Sequence, residues 1–177
     1  GILVTGSADE TVVEDCDVYY NCMSNENLQT TRGSWATGIS AARSPKNVII
    51  TRNRVWNNWG EGISSYEATY TRIEGNVIYD NKLNVYLSDT RFCTVKGNLI
   101  YSTPGNPCYN VSQVGIGLGD EQYQPPSSDN MIINNLLLNN AKNIYYWPGL
   151  NGTGALVNVT IAYNTSVNSS VETNLKL

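Results

Sequence analysis

The side chains of this chain best suited to chemistry are aromatic, acidic and basic, and His is absent altogether. Tyr66, Tyr86, Tyr145 and Trp147 recur close to Glu67, Asp89 and Asp120, with Arg43 and Arg91 nearby. An aromatic ring offers a flat apolar face that can stack on the C–H face of a sugar, and a phenol adds a hydroxyl. Two carboxyls about 5.5 Å apart would suit a retaining glycosidase, and a gap of about 6.5–9.5 Å an inverting one. Without His there is no Ser-His-Asp triad, and no Cys-based alternative presents itself. The glycines of VGIGLG (114–119) lack the Lys and the following helix of a phosphate loop. They read instead as strand glycines where another group approaches the backbone closely.

These residues must be positioned by something, and a repeat does it. Asn53, Asn76, Asn98, Asn135 and Asn164 each occupy the same place in a recurring phrase, for example NVIITRNRVWNN (47–58) and YTRIEGNVIYDN (70–81). Three residues before each stands Ile50, Ile73, Val95, Ile132 or Ile161, and TVVEDCDVYYN (11–21) fits the frame with Cys16 in the Asn slot. A second anchor precedes each phrase: GIS, GIS, NVY, GIG and NIY, beginning at residues 38, 62, 84, 115 and 143. The Asn anchors are 23 and 22 residues apart at first, then 37 and 29, as expected for one unit with inserted loops. Apolar residues alternate within a unit, so the segments are strands. A unit this short cannot bury its own core, but stacked units can, at about 4.8 Å per step.

A fixed Asn at a turn permits a ladder of side-chain amides through the stack. The pattern resembles the right-handed parallel β-helix of the pectin-lyase-like superfamily, over essentially the whole chain and in six coils with an inward Asn ladder. The expected domain is a single unit spanning 1–177. It opens directly into strand-like GILVTG, so it is expected to belong to a longer chain.

Composition narrows the partners. Charged residues make up 15% and the net charge is −4, with no basic run, which argues against nucleic acid and anionic membrane. No apolar run is long enough for a membrane span. The four cysteines, Cys16, Cys22, Cys93 and Cys108, fit no zinc spacing; their even number is compatible with two disulfides, while alignment with Val48 and Thr71 points Cys93 inward as a small core residue. Among five N-glycosylation sequons, Asn110 and Asn151 fall in loops and are the better acceptors, whereas Asn164 is a ladder residue.

Alternation assigns the faces. The first strand of each coil points Tyr66, Tyr86, Tyr145 and Trp147 outward, and the turn after it supplies the charged residues. The third strand is apolar on both faces: Trp56, Tyr79, Tyr101 and Leu138 line up outside, beside Val77, Leu99 and Leu136. Such a stripe is rarely left bare. Loops 22–37 and 102–114, with Trp35 or Tyr109 in contact, would cover it, or else a second subunit would.

The resemblance implies an extracellular protein whose first-strand face, with Tyr66, Tyr86, Tyr145, Trp147 and Arg43, binds an extended polysaccharide. It also implies a possible lyase or C5-epimerase chemistry on uronic acid polymers. There Arg43 or Arg91 would neutralise a carboxylate and Tyr66 or Tyr86 would move a proton. Glu67, Asp89 and Asp120 could imitate the acid cluster of calcium-dependent members. The chain departs from those enzymes in lacking a DH-type dyad and an RxPxxR-like segment. Three readings therefore stand side by side: a polysaccharide-binding module, an assembly module of a fibre or oligomer, and an enzyme with Glu67, Asp89, Arg91 and Asp120 as catalytic candidates.

Overall fold

The computed structural model describes residues 1–21, 37–106, 113–121, 126–147 and 156–169. Among these there is no helix, and the strands follow one another in threes, each triplet making one coil. The first coil holds β1 (Ile2–Thr5), β2 (Val12–Glu14) and β3 (Asp17–Tyr19), and the second β4 (Ile39–Ala42), β5 (Ile49–Thr51) and β6 (Arg54–Trp56). The third holds β7 (Glu61–Tyr66), β8 (Arg72–Glu74) and β9 (Val77–Tyr79), and the fourth β10 (Leu83–Ser88), β11 (Thr94–Lys96) and β12 (Leu99–Tyr101). The fifth holds β13 (Val114–Gly119), β14 (Met131–Ile133) and β15 (Leu136–Leu138), and the sixth β16 (Lys142–Trp147), β17 (Thr160–Ala162) and β18 (Thr165–Val167). Like strands stack into three six-stranded parallel sheets. This is a right-handed parallel β-helix of six coils, as the repeat predicts.

Strand length sets how each sheet behaves. The second and third strands are three residues long, so only the middle side chain points in, and Ile50, Ile73, Val95 and Ile132 form one fully buried column. Val55, Ile78, Ile100 and Leu137 form another, and Ile39, Ile63, Val85 and Ile116 a third. Burying each such side chain contributes about 1.5–3 kcal/mol, and repetition along the axis multiplies it.

The Asn ladder closes the turn between the second and third sheets. Asn76 Oδ1 accepts from the Asn53 backbone N–H and side-chain amide (2.9 and 3.1 Å), and Asn76 Nδ2 donates to Ile50 O (2.9 Å). The same set recurs from Asn76 to Asn98, Asn98 to Asn135 and Asn135 to Asn164. At the first coil the Cys16 N–H takes the place and donates to Asn53 Oδ1 (3.0 Å). A second amide column, not anticipated from the repeat, closes the turn after the third strand. It runs Asn21, Asn58, Asn81, and then Asn84, because Ser102 stands in the expected slot. Asn84 reaches across to Asn140, which Ser102 Oγ also meets, and Asn140 passes on to Asn143.

Cys16 and Cys93 are free thiols. Cys93 does point inward, at 1% exposure, but its surroundings are polar rather than apolar. Its Sγ accepts from the Thr71 N–H (3.3 Å) and lies 2.9 Å from Thr90 Oγ1, filling the slot Asn130 takes on the next coil. Cys22 and Cys108, with the sequon residues Asn110 and Asn151, lie outside the described residues.

Candidate functional site

The third-sheet stripe is arranged as the alternation predicts. Trp56 pairs with Tyr79, Tyr79 with Tyr101, and Tyr101 with Leu138, and all four are half-buried. Tyr19 joins them, giving ring centroid spacings of 4.4, 5.8 and 4.6 Å and interplanar angles of 13, 2 and 2°. The Arg54 guanidinium lies 4.7 Å over Trp56. Each ring thus covers the face of the next, and Tyr19, at the end of the column, keeps 48% exposure. The described start of one insert runs beside this stripe: Asn106 Nδ2 donates to Asn57 Oδ1 (2.9 Å) and the Thr103 N–H to Asp80 Oδ1 (2.6 Å). Burial holds the Asp80 carboxyl above the usual carboxylate range, against the pull of those Thr103 bonds. Trp35 and Tyr109, the expected covers, lie outside the described residues.

The first sheet is different. Its outer face carries a groove of about 980 Å³ that runs from Ile2 and Leu3 on the first coil to Tyr145 and Trp147 on the last. Strand pairing sets its floor in rows. Ser40, Ser64, Tyr86, Gly117 and Tyr145 lie in one row, and Ala42, Tyr66, Ser88, Gly119 and Trp147 in the next. Tyr66, Tyr86, Tyr145, Trp147 and Arg43 all line this groove.

Tyr86 lies flat across β13, which explains the glycines there. A Cβ at position 119 would sit 2.2 Å from the Tyr86 hydroxyl, and one at 117 would sit 3.0 Å from its ring. The ring is only 7% exposed, and its hydroxyl donates to Glu121 Oε1 (2.5 Å). Burial first, and the Glu121 carboxylate second, hold this phenol well above its usual range. It therefore stays protonated and orients Glu121; it is poorly placed to remove a proton at neutral pH. Trp147, at 42% exposure, is the most open ring. Tyr145 has one face covered by Lys142 Nζ, 3.8 Å from its centroid.

The turn after the first strand stacks Arg43, Glu67 and Asp89, all with φ near +50 to +62°, and Asp120 follows on the next coil. None of the four catalytic candidates Glu67, Asp89, Arg91 and Asp120 is part of the groove lining. Asp89 and Asp120, expected on a turn surface, are buried at 3% and 0% exposure. Asp89 accepts from Ser88 Oγ (2.6 Å) and from the Glu121 N–H (3.2 Å), so it anchors the turn that carries Glu121. Arg91 belongs to a backbone bridge with Thr69 and Ser128 at the entrance to the second sheet.

The acids that do line the groove are Glu61 and Glu121, and beside Arg43 its other base is Lys82. Burial lowers the Lys82 pKa, while Glu61 opposes that shift. Strand register sets Glu61 five positions short of Gly119, where the Glu121 carboxylate meets Tyr86. That is roughly 16 Å of strand at about 3.3 Å per residue. Sequence reasoning missed Glu61 because β7 begins two residues before the first Ile of its anchor GIS: Gly62, whose Cβ would strike Asn81, turns inward and leaves Glu61 facing out.

The fold and its grooved first sheet define the class: a pectin-lyase-like right-handed β-helix. Within that class the sequence matches the family described as "Periplasmic copper-binding protein (NosD)" over residues 1–168, and the chain belongs to that family. It has no significant match among curated protein sequences. Among solved structures, the A-module of the mannuronan C-5 epimerase AlgE4 of Azotobacter vinelandii is similar, with a TM-score of 0.50 and 12% identity over 97% of this chain and 54% of that one. The Dettilon tailspike protein gives 0.46 and 16% over 89% and 38%, and the alginate lyase of Paenibacillus sp. str. FPU-7 gives 0.44 and 13% over 87% and 65%. These likenesses are of fold, and the chain spans about half the length of the epimerase module.

The family description names copper, so the donor set matters. Copper is selected by imidazole, thiolate and thioether ligands. The chain has no His, and among the described residues no three Cys, Asp or Glu side chains converge. Cys93 is enclosed by Thr71, Thr90 and Ser65, and Cys16 Sγ bonds Glu14 O (3.1 Å). The described residues do not fit a copper centre, and among them no three acids converge as in the acid cluster of a calcium site.

Proposed function

We propose that this chain is an exported β-helix module that binds an extended polysaccharide along the first-sheet groove. The observation that carries this reading is the groove itself: an open trough crossing all six coils, with Tyr66, Tyr86, Tyr145 and Trp147 among its lining residues. Its length, five steps at about 4.8 Å, suits a linear chain of several sugars. Exposed Trp147 and half-buried Tyr66 offer stacking surfaces, and Ser40 and Ser64 offer hydroxyls. The periplasmic description of the family and the polysaccharide-acting name of the epimerase module support the same reading.

Affinity electrophoresis through polysaccharide-containing gels tests it. The parent should be retarded, and a Tyr66→Ala, Trp147→Ala variant should lose most of that retardation, about tenfold or more in affinity. A variant retarded as strongly as the parent, with an unchanged melting temperature, would remove the groove from the binding surface. Self-association is a second reading, favoured by the third-sheet stripe, where Tyr19, Leu136 and Val167 keep 48, 38 and 41% exposure.

A further inference from the structure

The inference below rests on the groove being a glycan site and concerns the class of glycan. Four charged side chains line the groove, and they stand at its two edges with one of each sign at either edge. Glu61 and Lys82 mark the edge where the first strands begin; Arg43 and Glu121 mark the edge where they end. Between them the floor carries one charge, the Lys142 ammonium. Ser40 and Ser64 share a hydrogen bond of 2.9 Å, Tyr86 lies over Gly117 and Gly119, and Tyr145 holds Lys142 against its ring. The inserts outside the described residues (22–36, 107–112, 122–125 and 148–155) add one acid and one base between them, Glu26 and Arg32.

A polyuronate would bring one carboxylate with every sugar. Taking a row of carboxylates out of water requires cations along the path to meet them. Lys82 stands beside Glu61, Lys142 is taken up by the Tyr145 ring, and Arg43 is the one exposed cation among the described lining residues. Glu121 would face the incoming charges, with Glu61 buried at 6% exposure under the opposite edge, and like charges brought together discriminate against a wrong partner. Sugar hydroxyls, by contrast, suit a floor of serine hydroxyls and rings, with carboxylates at the edges as acceptors. We propose that the groove selects an uncharged polysaccharide and rejects polyuronates.

The test is affinity electrophoresis of the whole chain, at low and at physiological salt, in gels containing a neutral polymer (mixed-linkage glucan, galactomannan or xylan) or a polyuronate (polygalacturonate or alginate). Retardation is expected in at least one neutral gel, independent of salt, with affinity for either polyuronate lower by about tenfold or more. A Glu61→Gln, Glu121→Gln variant keeps the hydrogen-bonding shape and should narrow that gap by gaining polyuronate affinity. Salt-sensitive retardation in polyuronate gels equal to or above that in every neutral gel would overturn the selectivity while leaving the groove a glycan site. Retardation in no gel would overturn the glycan site itself, and the selectivity with it.

Discussion

The first and third sheets share one scaffold, one register and one period, yet their outer faces have opposite characters. On the third sheet, neighbouring coils place like side chains in register, and Tyr19, Trp56, Tyr79 and Tyr101 stack into a column that covers itself. On the first sheet the register is just as regular, but Tyr86 meets Gly117 where the next aromatic might have stood, and lies down toward Gly119. The stack is interrupted and a trough opens. In a solenoid, repetition makes structure, and a break in the repetition makes room for something else.

The comparison can be pressed hardest through the scaffold both faces share. Asn76→Leu leaves the Asn53 N–H, Ile50 O and the Asn98 amide short of partners inside the stack. The expected loss is about 3 kcal/mol or more, with both faces failing together. Urea unfolding followed by tryptophan fluorescence and, separately, by gel retardation should give coincident transitions. Two separated transitions would mean the faces are less coupled than the ladder implies.

A smaller effect should separate the faces. Gly119→Ala drives a methyl into the Tyr86 hydroxyl, so Tyr86 must leave Glu121. A cost of about 1–3 kcal/mol is expected, with groove binding lost and the third-sheet stack intact. Retained binding at parental strength would mean Tyr86 is not part of the groove's working shape. Smallest of all, Tyr19→Ala removes the terminal ring of the column and should cost about 0.5–1.5 kcal/mol, the worth of one stacked pair. Groove binding should not change, and a thermal-shift assay beside a gel assay reads both quantities.

The legible part of this molecule was the part that repeats. Columns such as Ile50, Ile73, Val95 and Ile132, and the amide ladder behind them, follow from a fixed offset that one chain displays five times. The second amide column escaped because its fourth member changes rule: Ser102 holds the slot and Asn84, three residues beyond Asn81, supplies the amide. The groove's aromatic lining was visible through alternation and Arg43 through the turn after the strand, but Glu61 and Lys82, and the part Glu121 plays at the edge, were not. Glu61 faces out only because Gly62 turns in, and Glu121 sits just past the strand, placed there by Asp89 and Tyr86. Asp89 and Asp120 were legible as residues of one turn column but not as buried ones: Asp89 is held by Ser88 Oγ and by the Glu121 N–H of the insert after β13, contacts that no repeat position encodes. Among the described residues, that insert returns through Ser127, which donates to Gly119 O (2.7 Å).

The amide ladder also has a direction. Each Asn uses its oxygen to hold the backbone N–H of the coil before it, and its nitrogen to reach a carbonyl of that same earlier coil, as Asn98 does for Asn76 and Ile73. A coil's turn is therefore completed in part by its own Asn, which donates to a carbonyl two residues back, and in part by its successor. The stack behaves like a zipper whose every tooth is locked by the next, so a fault in one coil frees the N–H and carbonyl of its amino-terminal neighbour and takes a donor from the amide of the coil after it. A coil bearing Asn at the right offset can lock whatever precedes it, whichever side chains that earlier coil turns to the outside. This rule leaves the outer faces open to change from coil to coil while the axis stays in register.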